Sequence, residues 1–293
     1  MKPAPFEYHA PDSLEEALQL LREHGDAAKI LAGGQSLVPA MNFRVVQPSV
    51  LIDLNRVKEL GYIRAEDRSL RIGAMTRERA LEFEVLVSSR VPLLAEAMPH
   101  VAHPQIRNRG TLGGSLANAD PAAELPVITT ALGARFRLCS ASDERWVAAS
   151  EFFKGLFTTA LAPEEILAEV ELPFLPQRTG WCFLEVAPRA GDYALMGVAV
   201  VLTLGAEEAC QAVRLVYLNA GEGPVDAREA AQSMIGHSPT EKLFESAAAL
   251  ASEKEIHPFG NVHASPAFQR HLAKVLTKRA LRQAIQRAQE PLQ

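Results

Sequence analysis

Ala32-Gly33-Gly34-Gln35-Ser36-Leu37 and, about 80 residues later, Gly110-Thr111-Leu112-Gly113-Gly114-Ser115-Leu116-Ala117-Asn118 decide the reading of this chain. A Gly-Gly pair lets the backbone turn sharply and present successive N–H groups to an anion with no Cβ in the way. Neither stretch ends in the Lys-Ser/Thr of a P-loop, and neither has the Gly-x-Gly-x-x-Gly spacing of a Rossmann site. Either loop alone reads as a plain tight turn. Two of them, each with small neighbours and a Ser or Thr hydroxyl, point to a pyrophosphate clamped from both sides.

The surroundings supply strands and helices in a readable order. A short strand at Phe6 to Tyr8 precedes Ser13, which with Glu16 forms a capping box opening a helix through Leu14, Ala17, Leu18 and Leu21. Gly25 ends that helix, a strand at Lys29 to Leu31 runs into the first loop, and a further strand follows at Val50 to Leu54. Short strands at Gly61 to Arg64 and Ser69 to Gly73, then helices near Arg77 to Val87 and Pro92 to Val101, lead to the second loop. A helix at Ala122 to Leu132 and strands at Arg135 to Cys139 and Ile166 to Leu172 come next, and Pro173 and Pro176 mark a boundary. Strands at Trp181 to Val186, Ala194 to Leu204 and Val213 to Asn219 predict an antiparallel sheet, followed by helix from about Pro224 to Ala288. Gly221-Glu222-Gly223-Pro224 reads as a helix entry, because Glu222 and Asp226 would repel phosphate and Pro224 suits a first helical turn.

Composition narrows the function classes. The 293 residues, 48% hydrophobic and 22% charged, suffice for two domains or one large subdivided one. Thirty-five acids against 30 bases argue against an electrostatically driven nucleic-acid binder. Phe268 to Gln293 nevertheless holds six bases and one acid, a solvated helix face or a docking face. Cys139, Cys182 and Cys210 are odd in number and widely spaced, which fits a reducing compartment, and no metal or iron–sulfur spacing occurs. The longest apolar stretch, Ala194 to Leu204, is too short to span a bilayer, and a cytoplasmic location is expected.

The two loops in this order, followed by Gly191-Asp192-Tyr193-Ala194, resemble the FAD-binding medium subunit of molybdenum hydroxylases, the family of the xanthine, carbon monoxide and N-heterocycle dehydrogenases. The likeness runs from Phe6 to the closing helix with Leu276-Thr277-Lys278-Arg279-Ala280-Leu281. It implies an α+β chain with a vanillyl-alcohol-oxidase-type (PCMH) fold: FAD-binding subdomains at 1–57 and 58–176 and a C-terminal flavoprotein domain of antiparallel sheet plus helices at 177–293.

By the same resemblance, the backbone of Ile30, Leu31, Ala32, Gly33, Gly34, Gln35, Ser36 and Leu37 and of Thr111, Gly113, Gly114 and Ser115 holds the pyrophosphate. Asn118, Asp120 and Glu124 reach ribityl or ribose hydroxyls, Val101, Ala102 and Leu167 touch the cofactor rings, and Tyr193 shields one flavin face. Glu185 departs from relatives that carry Lys nearby, and Arg107 and Arg109 are expected to orient the second loop or meet solvent. No catalytic group and no metal ligand is assigned to this chain. The implied function is electron transfer through FAD, from [2Fe–2S] clusters of a small subunit to an external acceptor. Those electrons come from substrate as it is hydroxylated at the molybdenum cofactor of a large subunit, in a heterotrimer that is doubled, with no nucleic acid and no membrane span. A self-sufficient FAD-dependent oxidase or reductase of the same superfamily is the alternative. Neither the hydroxylated compound nor the acceptor is legible.

Overall fold

Residues 2–290 are described by a computed structural model. At its start the expected cap forms. Ser13 Oγ accepts the N–H of Glu16 at 3.2 Å, and helix α1 (Leu14–His24) ends at Gly25, whose φ of 52° suits glycine. The reciprocal half of the box shifts by one residue, since Glu16 Oε2 accepts from Asp12 N at 3.0 Å. Strands β1 (Glu7–His9), β2 (Ala28–Leu31) and β3 (Val50–Asp53) form a parallel three-stranded sheet in the order β1-β3-β2. The first glycine loop leaves β2 at its C-terminal end and enters helix α2 (Leu37–Asn42). Buried Ala17, Leu18 and Leu21 of α1 pack on Val50 and Ile52.

A five-stranded sheet follows, ordered β4-β5-β10-β6-β7. Its members are β4 (Ile63–Glu66), β5 (Ser69–Gly73), β6 (Arg135–Cys139), β7 (Glu144–Ala148) and, after the small hairpin of β8 (Phe153–Gly155) and β9 (Thr158–Thr159), β10 (Ile166–Pro173). The expected helix over 77–87 is broken at Glu84, whose extended backbone closes α3 (Glu78–Phe83) while its carboxylate caps Leu86 N of α4 (Val85–Arg90). The helix expected at 92–101 stops as α5 (Pro92–Ala97) and tightens into a 3-10 turn at Met98–His100. Pro99, with no N–H to give, sits in that turn. Then come α6 (Pro104–Arg107), α7 (Leu112–Asn118), α8 (Glu124–Leu132) and α9 (Ala149–Phe152).

The last third forms an antiparallel sheet, β11 (Thr179–Val186), β12 (Met196–Leu204), β13 (Cys210–Leu218) and β14 (Val225–Asp226), with α10 (Arg228–Gln232), α11 (Glu241–Leu250) and α12 (Pro266–Gln289) on one face. Helix does not begin at Pro224, because Val225 and Asp226 first pair with β13. β12 is buried almost throughout because both faces are covered. Val198, Val200 and Leu202 lie in the core under α12, while Ala199 belongs to the core shared with α5, α7 and α8. Glycine makes the helix–sheet contact possible at Gly180, where a Cβ would press into the Ala284 carbonyl of α12.

The six bases of the closing helix are largely paired. Lys274, Lys278 and Arg282 meet Glu253, Glu245 and Glu241 of the α11 segment, and Arg287 reaches Glu96 of α5 at 2.5 Å. This basic stripe is therefore mostly an intramolecular surface; residues 291–293 of it lie outside the described residues.

Candidate functional site

The fold brings the two glycine loops into backbone contact. A Cβ on Gly33 would lie 2.8 Å from Gly110 Cα and closer still to the Arg109 carbonyl oxygen. From the other side, a Cβ on Gly114 would meet Thr111 Oγ1 at 2.7 Å and Ala32 Cβ at 3.3 Å. Gly34, with φ at 73°, supplies the left-handed turn that lets the first loop fold over. Gly113 seats α7 on the end of β5: its N–H donates to Ala74 O at 2.8 Å, and a Cβ there would meet the Ala74 side chain.

The two loops differ in what they leave free. The N–H groups of residues 33–37 donate to no acceptor among the described residues. In the second loop Leu112 N bonds Thr76 O at 3.0 Å, Gly114 N bonds Thr111 Oγ1 at 3.1 Å and Ser115 N bonds Thr111 O at 3.1 Å. An anion between the loops therefore meets a row of unused amides on the first side. The second side offers the N-terminus of α7, the free Thr111 N–H and the Ser115 hydroxyl. Gln35 Nε2 turns back onto Gly33 O at 3.0 Å and shapes its own loop, whereas Ser36 is exposed. A cradle of free amides that any added Cβ would fill fits a pyrophosphate.

Two side chains absent from the sequence reading hold the loops at this spacing. Asn55 Nδ2 donates to Ala32 O at 3.0 Å, Arg77 donates to Asn55 Oδ1 at 2.5 Å, and its other nitrogen donates to Arg109 O. Burial, and then the nearby Arg109, pull the Arg77 pKa down.

Arg107 does not face solvent. It is 5% exposed, pairs bidentately with Glu82 at 3.0 Å, and donates to the carbonyls of Val101 at 2.8 Å and Ala102 at 3.0 Å. It thereby fixes the Val101-Ala102 turn, in which Ala102 adopts φ of 44°. Val101 and Leu167 are mostly buried in the central core, 7% and 5% exposed. His103 packs against Gly191, and His100 Nδ1 lies 3.2 Å from Glu185 Oε1.

Beyond the second loop the chain turns at Asp120-Pro121 into α8. Asn219, at φ 54° after β13, ties this turn to the C-terminal sheet: its N–H donates to Pro121 O and its Nδ2 to Ala194 O, both at 2.8 Å. Gln269 of α12 adds a bond to Leu195 O at 2.8 Å. These contacts deliver Tyr193, 68% exposed, to the carboxylates of the α8 entry; desolvation of the phenol, then Asp120 and Glu124, raise its pKa.

Burial also raises Asp120, against the hydrogen bond from Ala122 N. Glu124 is 7% exposed. The α8 N-terminus favours its anion by roughly 0.3–1 kcal/mol. Burying an unpaired carboxylate costs several kcal/mol, so burial prevails. Together with Glu185, Glu78 and Asp120 it pushes the Glu124 pKa up to about 8. Asn118 is half-buried at the end of α7. Two open grooves, of about 610 and 790 Å³, lie elsewhere and are lined by none of the residues expected at the site.

A family model described as the FAD binding domain in molybdopterin dehydrogenase matches residues 4–175, and one described as the CO dehydrogenase flavoprotein C-terminal domain matches residues 181–284. The chain is 42% identical over 288 residues to the 6-hydroxypseudooxynicotine dehydrogenase complex subunit alpha of Paenarthrobacter nicotinovorans, covering 98% of this chain and 97% of that one. It superposes on a chain of the carbon monoxide dehydrogenase of Hydrogenophaga pseudoflava, in a form lacking the Mo-pyranopterin moiety of the molybdenum cofactor. That match has a TM-score of 0.95 at 38% identity and covers 98% and 99% of the two chains. Quinoline 2-oxidoreductase from Pseudomonas putida 86 gives 0.93 at 39% identity, over 99% and 100%. Among the described residues, no helix is long and apolar enough to cross a membrane.

Proposed function

Because the chain belongs to the family of FAD-binding medium subunits of the molybdenum hydroxylases, we propose that it takes electrons from [2Fe–2S] clusters of a small partner subunit and hands them to an external acceptor. Substrate is hydroxylated at a molybdenum centre in a large partner, and the assembly is a doubled heterotrimer in the cytoplasm. The observation that carries this reading is the seam between the glycine loops, where the amides of residues 33–37 are free and Gly33 and Gly114 exclude any side chain.

FAD, when bound, supplies a carrier able to take electrons singly or in pairs. Everything else is the work of this chain's residues. The backbone of Ile30 to Leu37 and of Thr111 to Ser115 neutralises the pyrophosphate, with Ser36 and Thr111 hydroxyls adding hydrogen bonds. Asn118, Asp120 and Glu124 hold sugar-chain hydroxyls. Val101, Ala102 and Leu167 pack on the rings, and Tyr193 covers one flavin face. No group here breaks or makes a substrate bond. The relatives are named for nicotine-type, carbon monoxide and quinoline substrates. That diversity fits a medium subunit that does not select the substrate.

Native purification with an absorbance spectrum, metal analysis and a gel tests this. Yellow protein with molybdenum, iron and three bands is expected. A single band carrying flavin alone and oxidising substrate by itself supports instead a self-sufficient oxidase.

A further inference from the structure

The Tyr193 ring is 68% exposed, yet the backbone beneath it is held at both ends. On the N-terminal side Gly191 turns at φ of 84°, and a Cβ there would run into the His103 ring and lie 3.0 Å from Ala102 O. On the C-terminal side the Ala194 and Leu195 carbonyls are taken by side-chain amides from two distant elements. Asn219 Nδ2, just after β13, donates to Ala194 O at 2.8 Å and to Leu195 O at 3.3 Å, and Gln269 Nε2 of α12 donates to Leu195 O at 2.8 Å. Leu195 N in turn donates to Val186 O at 2.7 Å. Gln269 is 1% exposed and its Oε1 accepts the Gly260 N–H at 2.9 Å, so its amide cannot swing away without stranding a buried partner on each side.

Asn219 does more than brace one end of this segment. At φ of 54° its backbone N–H donates to Pro121 O, 2.8 Å away, while its side chain holds Ala194 O. One residue therefore ties the turn that carries Asp120 to the segment that carries Tyr193. A ring left bare on a fixed backbone is preorganised for a flat partner, because little freedom remains to be lost on stacking. We propose that Asn219, seconded by Gln269, is a positioning residue for the flavin: through Ala194 and Leu195 it sets the place of the Tyr193 ring relative to a cofactor bound at the second loop. The inference rests on the reading that FAD occupies this site and that Tyr193 covers one flavin face. Asn219 acts through the tyrosine.

FAD titration of the full chain, together with the fluorescence of the bound flavin, which a stacked phenol quenches, tests this. N219G keeps the left-handed backbone and the N–H to Pro121 O and removes only the amide side chain. It is expected to bind FAD about three- to tenfold more weakly, the weight of one hydrogen bond, and to leave the bound flavin brighter. Y193A is expected to weaken FAD binding by about tenfold or more and to brighten the flavin further. In the double variant the loss of Asn219 adds nothing, because the ring that it places is gone. N219G with the affinity and quenching of the unaltered chain overturns the proposal. So does an N219G loss repeated in full on the Y193A background, which makes Asn219 a residue of the fold alone. Y193A that binds FAD with unaltered affinity and quenching removes the tyrosine reading, and this inference with it, while FAD binding stands. An unaltered chain that takes up no FAD overturns both the inference and the reading beneath it.

Discussion

Gly114 shows at the scale of one residue why the second loop tolerates no side chain. Its missing Cβ leaves 2.7 Å to Thr111 Oγ1, the cap of α7, and 3.3 Å to Ala32 of the facing loop. Gly114→Val places two further carbons there, so the cap must break or the loops must part. The expected outcome is loss of FAD retention through gel filtration, an affinity at least about a hundredfold weaker, with far-ultraviolet circular dichroism little changed. A Gly114→Val chain that keeps its flavin with unaltered affinity refutes the role given to the second loop. The neighbouring Arg107 is the opposite case. Its sequence position suggests loop orientation or solvent, and only the packing shows it buried on Glu82 with the Val101 and Ala102 carbonyls in its grip. Bases at such positions look alike in sequence because burial is set by elements far away along the chain.

At the scale of elements, the strand–loop–helix order was legible because it is local: periodicity, a Ser13 cap, the Gly25 stop and the glycine pairs all act within a few residues. β7, the β8–β9 hairpin and β14 escaped notice for a complementary reason. Glu144-Arg145-Trp146-Val147-Ala148 carries little apolar alternation, and its strand character comes from pairing with β6. The same limit hid the loop clasp. Asn55 lies just after β3 and Arg77 just before α3, and nothing local shows that they meet each other and both glycine loops. Asn55→Ala removes the bond to Ala32 O and the partner of Arg77, interactions worth about 1–3 kcal/mol together. FAD affinity should fall about tenfold, read by titration, while the melting temperature of the apo chain moves little, since Asn55 is exposed. An unchanged dissociation constant would show that the loops hold their spacing without the clasp.

Across the whole molecule, the boundary near Pro176 divides the sequence more cleanly than it divides the packing. Phe183, Ala199, Val216 and Leu218 of the C-terminal sheet sit in the same apolar core as Leu112 and Leu116, which carry the second glycine loop. Polar ties cross the same seam. Glu96 of α5 accepts from Phe183 N at 2.9 Å and from Arg287, Arg214 donates to Thr130 O at 3.0 Å, and Asn219 N holds Pro121 O. A chain ending at Pro176 would expose the α5, α7 and α8 surfaces that these residues cover and free the Asp120-Pro121 turn. Burial is worth about 25 cal/mol per Å² of apolar surface, and a domain's whole stability is about 5–15 kcal/mol, so losing one face of the core leaves little margin. The truncated chain should therefore aggregate or unfold at room temperature and retain no flavin, although it keeps both glycine loops entire. Circular dichroism, gel filtration and the flavin absorbance of that chain decide the point. A monomeric, yellow, cooperatively melting product would show that the first 176 residues stand alone, and that the C-terminal sheet covers the cofactor site without supporting it.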